Sequence, residues 1–188
     1  MELLEEILSL PKPSILIQIY EKEIFDLIPE LEISKGFKQN NEWHVYDVYN
    51  HTLNVIDNVP NEIILRYAAL FHDIGKPYVY TEDENGIGHF YNHWNVSKEI
   101  FDEFAKRNRL QNNLKNTISK LIEYHDINID KLSQKELDNL LKIFKREELI
   151  MLFQLKKADL LAQNMKYHYL LNNYNEQQNR ILTLKEQV

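Results

Sequence analysis

Two residues with metal-ligand chemistry, His72 and Asp73, stand side by side in Ala68-Ala-Leu-Phe-His-Asp-Ile-Gly-Lys-Pro77, where an apolar run ends. An imidazole nitrogen with a carboxylate oxygen suits Mn, Fe, Co, Ni or Zn, and a carboxylate can bridge two ions. Adjacent helical residues diverge by about 100°, so a common centre requires the chain to turn directly after them. Gly75 and Pro77 are expected to stop the helix and supply that turn, with Lys76 between them.

Further candidates flank this pair. His51 shares a predicted helix face with Val48 and Val55, which points its imidazole toward apolar packing. Asp159 shares its face with Leu152, Leu155 and Ala162. A lone ionised carboxylate buried there would cost several kcal/mol or shift its pKa, so it needs a cation. Lys156, three residues earlier, is one candidate and a metal ion is another. His125 ends a predicted helix, where its charged form also complements the dipole. His93 opens a helix that would fix its direction, and so is preferred to His89 in an alternating strand. Lys76 and Arg66 are the nearby cations. Arg66 lies two turns before Asp73 and is expected to pair with it or to reach a substrate phosphate. His44, His168 and Asp126 read as structural or surface residues.

The elements that must carry these residues are helices. Residues 2–10 and Ser14 to Leu27, with Ser14 as N-cap, read as the first two. Pro29 to Trp43 reads as a polar, irregular connector. Helices are expected from Tyr46 to Asn58, from Glu62 to Phe71 or His72, from Asn95 to Arg107 and from Leu114 to Tyr124. Another opens on the capping box Ser133-Gln-Lys-Glu136, and a long one runs from Arg146 to Leu171. The tail from Tyr174 is polar and expected to fray. Between 78 and 91, β-like residues flank Asn85-Gly86, which marks a small hairpin. The expected class is all-α with one β-hairpin insert, divided into an N-terminal helical segment (1–24), a main domain (25–171) and a C-terminal tail (172–188).

Composition narrows the function classes. A formal net charge of −7 disfavours strong non-specific binding to nucleic-acid backbones. The chain has no cysteine, which excludes disulfides and thiolate ligands, so any metal must take imidazole and carboxylate. No apolar run approaches membrane-spanning length, and the start Met-Glu-Leu-Leu-Glu-Glu lacks the basic region of a signal peptide. A soluble, cytoplasmic protein is expected, and a homo-oligomer is left open.

The order His, His-Asp, His, His, Asp carried on helices resembles the HD-domain metal-dependent phosphohydrolases. The likeness extends to the HD domain that follows the nucleotidyltransferase head in bacterial tRNA CCA-adding enzymes and related poly(A) polymerases. It is carried by Ile28-Pro-Glu-Leu31, Trp43-His-Val-Tyr-Asp-Val48, His51-Thr-Leu53, Arg66-Tyr-Ala-Ala-Leu-Phe-His-Asp-Ile-Gly-Lys76, Gly88-His-Phe-Tyr-Asn-His93 and Lys157-Ala-Asp-Leu160. The chain is expected to lack the head, since it is short and contains no Asp-x-Asp motif, so nucleotide addition to tRNA is not expected of it alone. It also reads Asn92-His-Trp94 where the family often has Gly-His-Glu, which bears on the second metal and on substrate scope.

The resemblance implies a primary metal site of His51, His72, Asp73 and Asp159. His93 and His125 complete a second site, with Asp73 as the bridge. A single-metal member would need only the first four, leaving His93 and His125 to contact phosphate. One or two divalent ions (Mn, Ni, Co, Fe, Mg or Zn) would activate a water, with Asp73 and Lys76 catalytic and Arg66 and Lys76 binding substrate phosphate. The implied substrate is a nucleotide-like phosphomonoester or phosphodiester, such as a 2′,3′-cyclic nucleotide. The alternatives are a degenerate module that binds a nucleotide or tRNA end, a di-iron oxygenase, and a purely structural helical domain.

Overall fold

Prolines set the pattern of the first helices. In the computed structural model, which describes residues 1–183, α1 (Glu2–Leu8) ends before Pro11, and α2 (Pro13–Ile19) opens on Pro13. A missing N–H costs nothing in a first turn. Ser14 does not cap α2. Lys12 holds the cap position, and the Ser14 backbone and hydroxyl both donate to Asp57. The single helix expected from Ser14 to Leu27 is broken at Tyr20, so Glu21–Leu27 forms a separate α3. The connector expected from Pro29 begins instead as α4 (Pro29–Ser34), with Leu31 and Ser34 buried. The chain then runs to α5 (Val48–Asn58), whose N-cap Asp47 accepts the Asn50 N–H at 2.7 Å.

Helix α6 (Ile63–Phe71) has no polar face, because it lies at the centre and packs against α5 and α1. Its one charged residue, Arg66, is 2% exposed and donates to the carbonyl of Ile56. That carbonyl belongs to the last turn of α5, where it has no helical partner. Arg66 therefore ties α6 to the C-terminal end of α5, and burial lowers its pKa. It does not approach Asp73, contrary to expectation. Two turns of helix separate them, about 10 Å at 1.5 Å per residue.

A short α7 (Lys76–Val79) leads into the hairpin β1 (Thr81–Glu82) and β2 (Gly88–His89), paired antiparallel with Thr81 opposite His89. The chain continues through α8 (His93–Arg107), α9 (Asn112–Tyr124), α10 (Gln134–Ile143) and α11 (Arg146–Ala162). The Ser133/Glu136 capping box is formed at the start of α10. Helices α8 and α9 pack together, α9 lies on α6, and α11 crosses α5.

The helix expected from Arg146 to Leu171 stops nine residues early. Gln163 is extended, and Asn164 donates its N–H to the Trp43 carbonyl at 2.8 Å. A 3-10 turn (Met165–Tyr167) and α12 (Leu170–Thr183) follow. The tail expected to fray from Tyr174 is helical as far as Thr183, with Gln177 and Ile181 buried. Residues 184–188 lie outside the described residues. Leu4 and Ile17 at one end of the chain and Ile181 at the other belong to the same apolar cluster as α6. Among the described residues, no helix is long and apolar enough to cross a membrane.

If α12 closes this core, Ile181→Ala should lower unfolding stability by about 2–5 kcal/mol in urea titration, as for other buried aliphatic truncations. A frayed tail would show no change.

Candidate metal centre

Four residues at three helix ends and two from within helices converge on one centre. His72 follows the last residue of α6, and Asp73 follows His72. His51 comes from the middle of α5, His93 from the first residue of α8, His125 from the C-cap of α9, and Asp159 from α11. The turn that aims His72 and Asp73 is not a sharp reversal. Gly75 sits at φ −80°, and the bonds Ile74 N–H to Phe71 and Lys76 N–H to Asp73 tighten the helix into i→i−3 turns. Pro77 does not stop a helix. It occupies the first turn of α7.

Gly75 is required for close approach. A Cβ there would lie 2.6 Å from the Ser97 backbone nitrogen and 2.7 Å from the His93 carbonyl. The start of α8 is thereby pressed against the turn after Asp73, and the Ser97 hydroxyl accepts the Gly75 N–H at 2.9 Å. Gly88 does the same for the hairpin, since a Cβ there would run into the Gln39 carbonyl.

Asp73 lies between two sets of imidazoles. Its Oδ2 is 3.4 Å from His51 Nε2 and 3.2 Å from His72 Nε2. Its Oδ1 is 3.2 Å from His93 Nε2 and 3.4 Å from His125 Nε2. Asp159 Oδ1 joins the first set, 3.0 Å from His51 Nε2. The groups able to hold a metal are thus His51, His72 and Asp159 on one side and Asp73, His93 and His125 on the other. Burial alone would raise the Asp73 carboxyl, but the neighbouring His72, Lys76 and His125 outweigh it and hold it well below the usual carboxylate range. Burial likewise opposes ionisation of Asp159, and His51 and His72 reverse the effect.

The imidazole tautomers test whether a cation fits. His72, His93 and His125 each donate Nδ1–H to the carbonyl three residues back, those of Ala69, Phe90 and Ile122, at 2.7, 2.8 and 2.7 Å. Each Nε2 lone pair is left facing the centre. His93 and His125 meet Nε2 to Nε2 at 3.0 Å, and His51 and His72 at 3.4 Å. Opposed lone pairs beside a buried carboxylate repel unless a positive charge lies among them. Asp73 Oδ2 also lacks a well-directed hydrogen bond, despite Lys76 Nζ at 2.6 Å. The donor set therefore fits divalent metal ions.

The remaining candidates divide clearly. Lys76 reaches the centre, donating to Gln39 Oε1 at 2.8 Å beside Asp73. Arg66 does not line the cleft. His89 pairs with Asp83 at 3.3 Å on the hairpin, away from Asp73. Lys156 does not pair with Asp159 but donates to the His125 carbonyl at 2.6 Å, and burial lowers its pKa. His44, expected to be structural or at the surface, packs edge-on against His51 with centroids 4.9 Å apart. Burial, with Lys76 and His51 nearby, lowers its pKa to about 2. Gln39 and His44 sit on an irregular segment with no periodicity to mark them. Trp43-His44 in the quoted likeness is the only hint of either. The centre opens to a cleft of about 1030 Å³ lined by Lys76, His93, Lys156 and Asp159.

Asp73 raises the pKa of His72 against the effect of burial. A divalent ion and the His72 proton therefore compete for one Nε2. Mn²⁺ binding should release protons and weaken as the pH falls through the raised His72 pKa, above the usual 6.5. Calorimetry in two buffers of different protonation enthalpy measures this, and equal heats in both would rule the competition out. Gly75→Ala should lower both the melting temperature and the number of ions bound, as read by metal analysis, because α8 must move and carry His93 with it.

The chain matches the HD domain over residues 43–161. An A-adding tRNA nucleotidyltransferase of Deinococcus radiodurans is 30% identical over 89 residues, which cover 44% of this chain and 20% of that protein. The chain thus corresponds to about a fifth of that relative's length. With the family pattern spanning α5 to α11 and its histidines and aspartates gathered on one centre, the chain belongs to the HD-domain family, a superfamily of metal-dependent phosphohydrolases.

Proposed function

We propose that this cleft hydrolyses a small nucleotide-like phosphate ester, a phosphomonoester or a cyclic phosphodiester such as a 2′,3′-cyclic nucleotide. The observation that carries the reading is the Asp73 carboxylate, with one oxygen toward His51 and His72 and the other toward His93 and His125. His51, His72, Asp73 and Asp159 would hold one ion, and Asp73, His93 and His125 a second. Such ions supply an acidified water as nucleophile and positive charge opposite the phosphoryl oxygens.

The chain's own groups do the rest. The carbonyls of Ala69, Phe90 and Ile122 keep three imidazoles in the ligating tautomer. The Lys76 ammonium, held by Gln39 at the cleft floor, is placed to offset charge on a phosphoryl oxygen. Lys156 fixes the backbone of His125 from below. Among the described residues no Ser, Thr or Cys lines the cleft, which favours water over a covalent nucleophile. The nucleotide-like substrate is supported by the relative in Deinococcus radiodurans, whose name places it among tRNA nucleotidyltransferases.

A panel of phosphomonoesters and cyclic nucleotides, assayed with Mn²⁺, Ni²⁺, Co²⁺ and Mg²⁺, tests the proposal. Asp73→Ala should reduce turnover by at least about a thousandfold, with bound metal lost in parallel. Activity and metal content that both survive this substitution would overturn the assignment.

A further inference from the structure

The charge inside the cleft does not suit a polyanion. Its cations are Lys76 and Lys156, and both ammonium groups are directed inward, to Asp73 with Gln39 and to the His125 carbonyl. The carboxylates along the walls are Glu42, Asp126, Asp130 and Asp159. Glu42 is paired with Lys166 at 2.7 Å, and Asp159 with His51. Asp126 and Asp130 act on Lys156 only through their field. Any phosphate held at the centre has its charge met there. A second phosphate further out would face carboxylates and find no free cation among the described residues.

The outer walls are aromatic. Tyr91 is 72% exposed, Tyr169 66% and Trp43 41%, with Trp94 half-buried beside them. An exposed tyrosine is ordinary by itself. Here several rings border one cleft whose volume of about 1030 Å³ accommodates a nucleoside. Aromatic faces of this kind stack nucleobases without reading their sequence. The same mouth carries Asp126 and Asp130, whose carboxylates can accept hydrogen bonds from an exocyclic amino group.

We infer that the cleft selects ligands with a single phosphorus centre joined to an amino-bearing aromatic base, and rejects those with a second phosphate or a nucleic-acid backbone. The inference rests on the proposed phosphate-ester reading for what occupies the centre, but its discrimination is made by the walls and is visible in binding without turnover.

Trp43 and Trp94 are the two tryptophans of the chain, and both line the cleft, so their fluorescence reports its occupancy. The Mn²⁺-loaded full chain is titrated with adenosine 5′-monophosphate, adenosine 2′,3′-cyclic monophosphate, adenosine 3′,5′-bisphosphate and uridine 5′-monophosphate. The tighter adenosine monophosphate should bind about tenfold more strongly than the bisphosphate, and the uridine compound should be weaker than its adenosine counterpart. In the Asp126→Asn, Asp130→Asn double variant the bisphosphate penalty should shrink to about threefold or less. Equal affinities for the monophosphate and the bisphosphate in the wild type, an unchanged penalty in the double variant, or no quenching by any ligand would each overturn the inference. Discrimination without hydrolysis overturns the hydrolase reading and supports this one, whereas hydrolysis without discrimination does the reverse.

Discussion

A carboxylate that is 1% exposed must be surrounded by positive charge, and Asp73 sets that condition for the whole molecule. Taking such an ion out of water costs several kcal/mol unless its lone pairs are met. The Lys76 ammonium lies 2.6 Å from it, and four imidazoles, whose inward Nε2 atoms call for a further cation, lie within 3.4 Å. The helices are placed accordingly. Helix α5 must lie beside α6 to deliver His51, α8 must start at the turn after Asp73 to deliver His93, and α9 must end there to deliver His125. The requirement for glycine at position 75 follows from the same condition, because a single methyl group would hold α8 off.

The ligands are drawn from helix ends for a reason of hydrogen bonding. An imidazole that is to present Nε2 needs an acceptor for Nδ1–H, and mid-helix carbonyls are already engaged. At the ends of α6 and α9 the Ala69 and Ile122 carbonyls accept it, and in the loop before α8 the Phe90 carbonyl does, the last two while also accepting the backbone N–H of His125 and His93. His51 sits mid-helix and shows the converse. Its Nδ1 has no partner, so its orientation rests on Asp159 and on packing against His44. One helical frame thus holds three of its imidazoles by backbone and the fourth by side chains alone.

What the sequence made legible was whatever depends on periodicity or on ligand chemistry. The apolar stripes of α5, α6 and α9, the Ser133 cap and the Asn85-Gly86 hairpin are local features, and the order of histidines and aspartates follows from their chemistry. What stayed hidden depended on contacts distant in sequence. Arg66 looks like a partner for Asp73 along one helix face, but it is drawn to the Ile56 carbonyl at the end of α5. Helix α11 ends where residues 42 and 43 bond to Asn164, across a separation of more than a hundred residues. Polar α12 is helical because Ile181 and Gln177 find a core to enter. Gln39 became part of the centre only because the hairpin glycine lets its backbone approach.

These long-range ties also separate what the family frame supplies from what belongs to this chain. The frame places ligands on α5, α6, α8, α9 and α11. The cleft above them is walled by the segments 40–44, 126–130 and 163–174 and by the hairpin, which are mostly loops and turns. Trp43 stacks on Tyr167 at 3.5 Å, and Lys166 pairs with Glu42, so two of these walls are fastened to each other rather than to the core. A wall built this way can change its charge and its rings without disturbing Asp73, because none of its exposed side chains helps to neutralise that buried carboxylate. Chemistry and selectivity therefore reside in different parts of the chain. The first is fixed by the electrostatics of burial, and the second is free to follow the ligand.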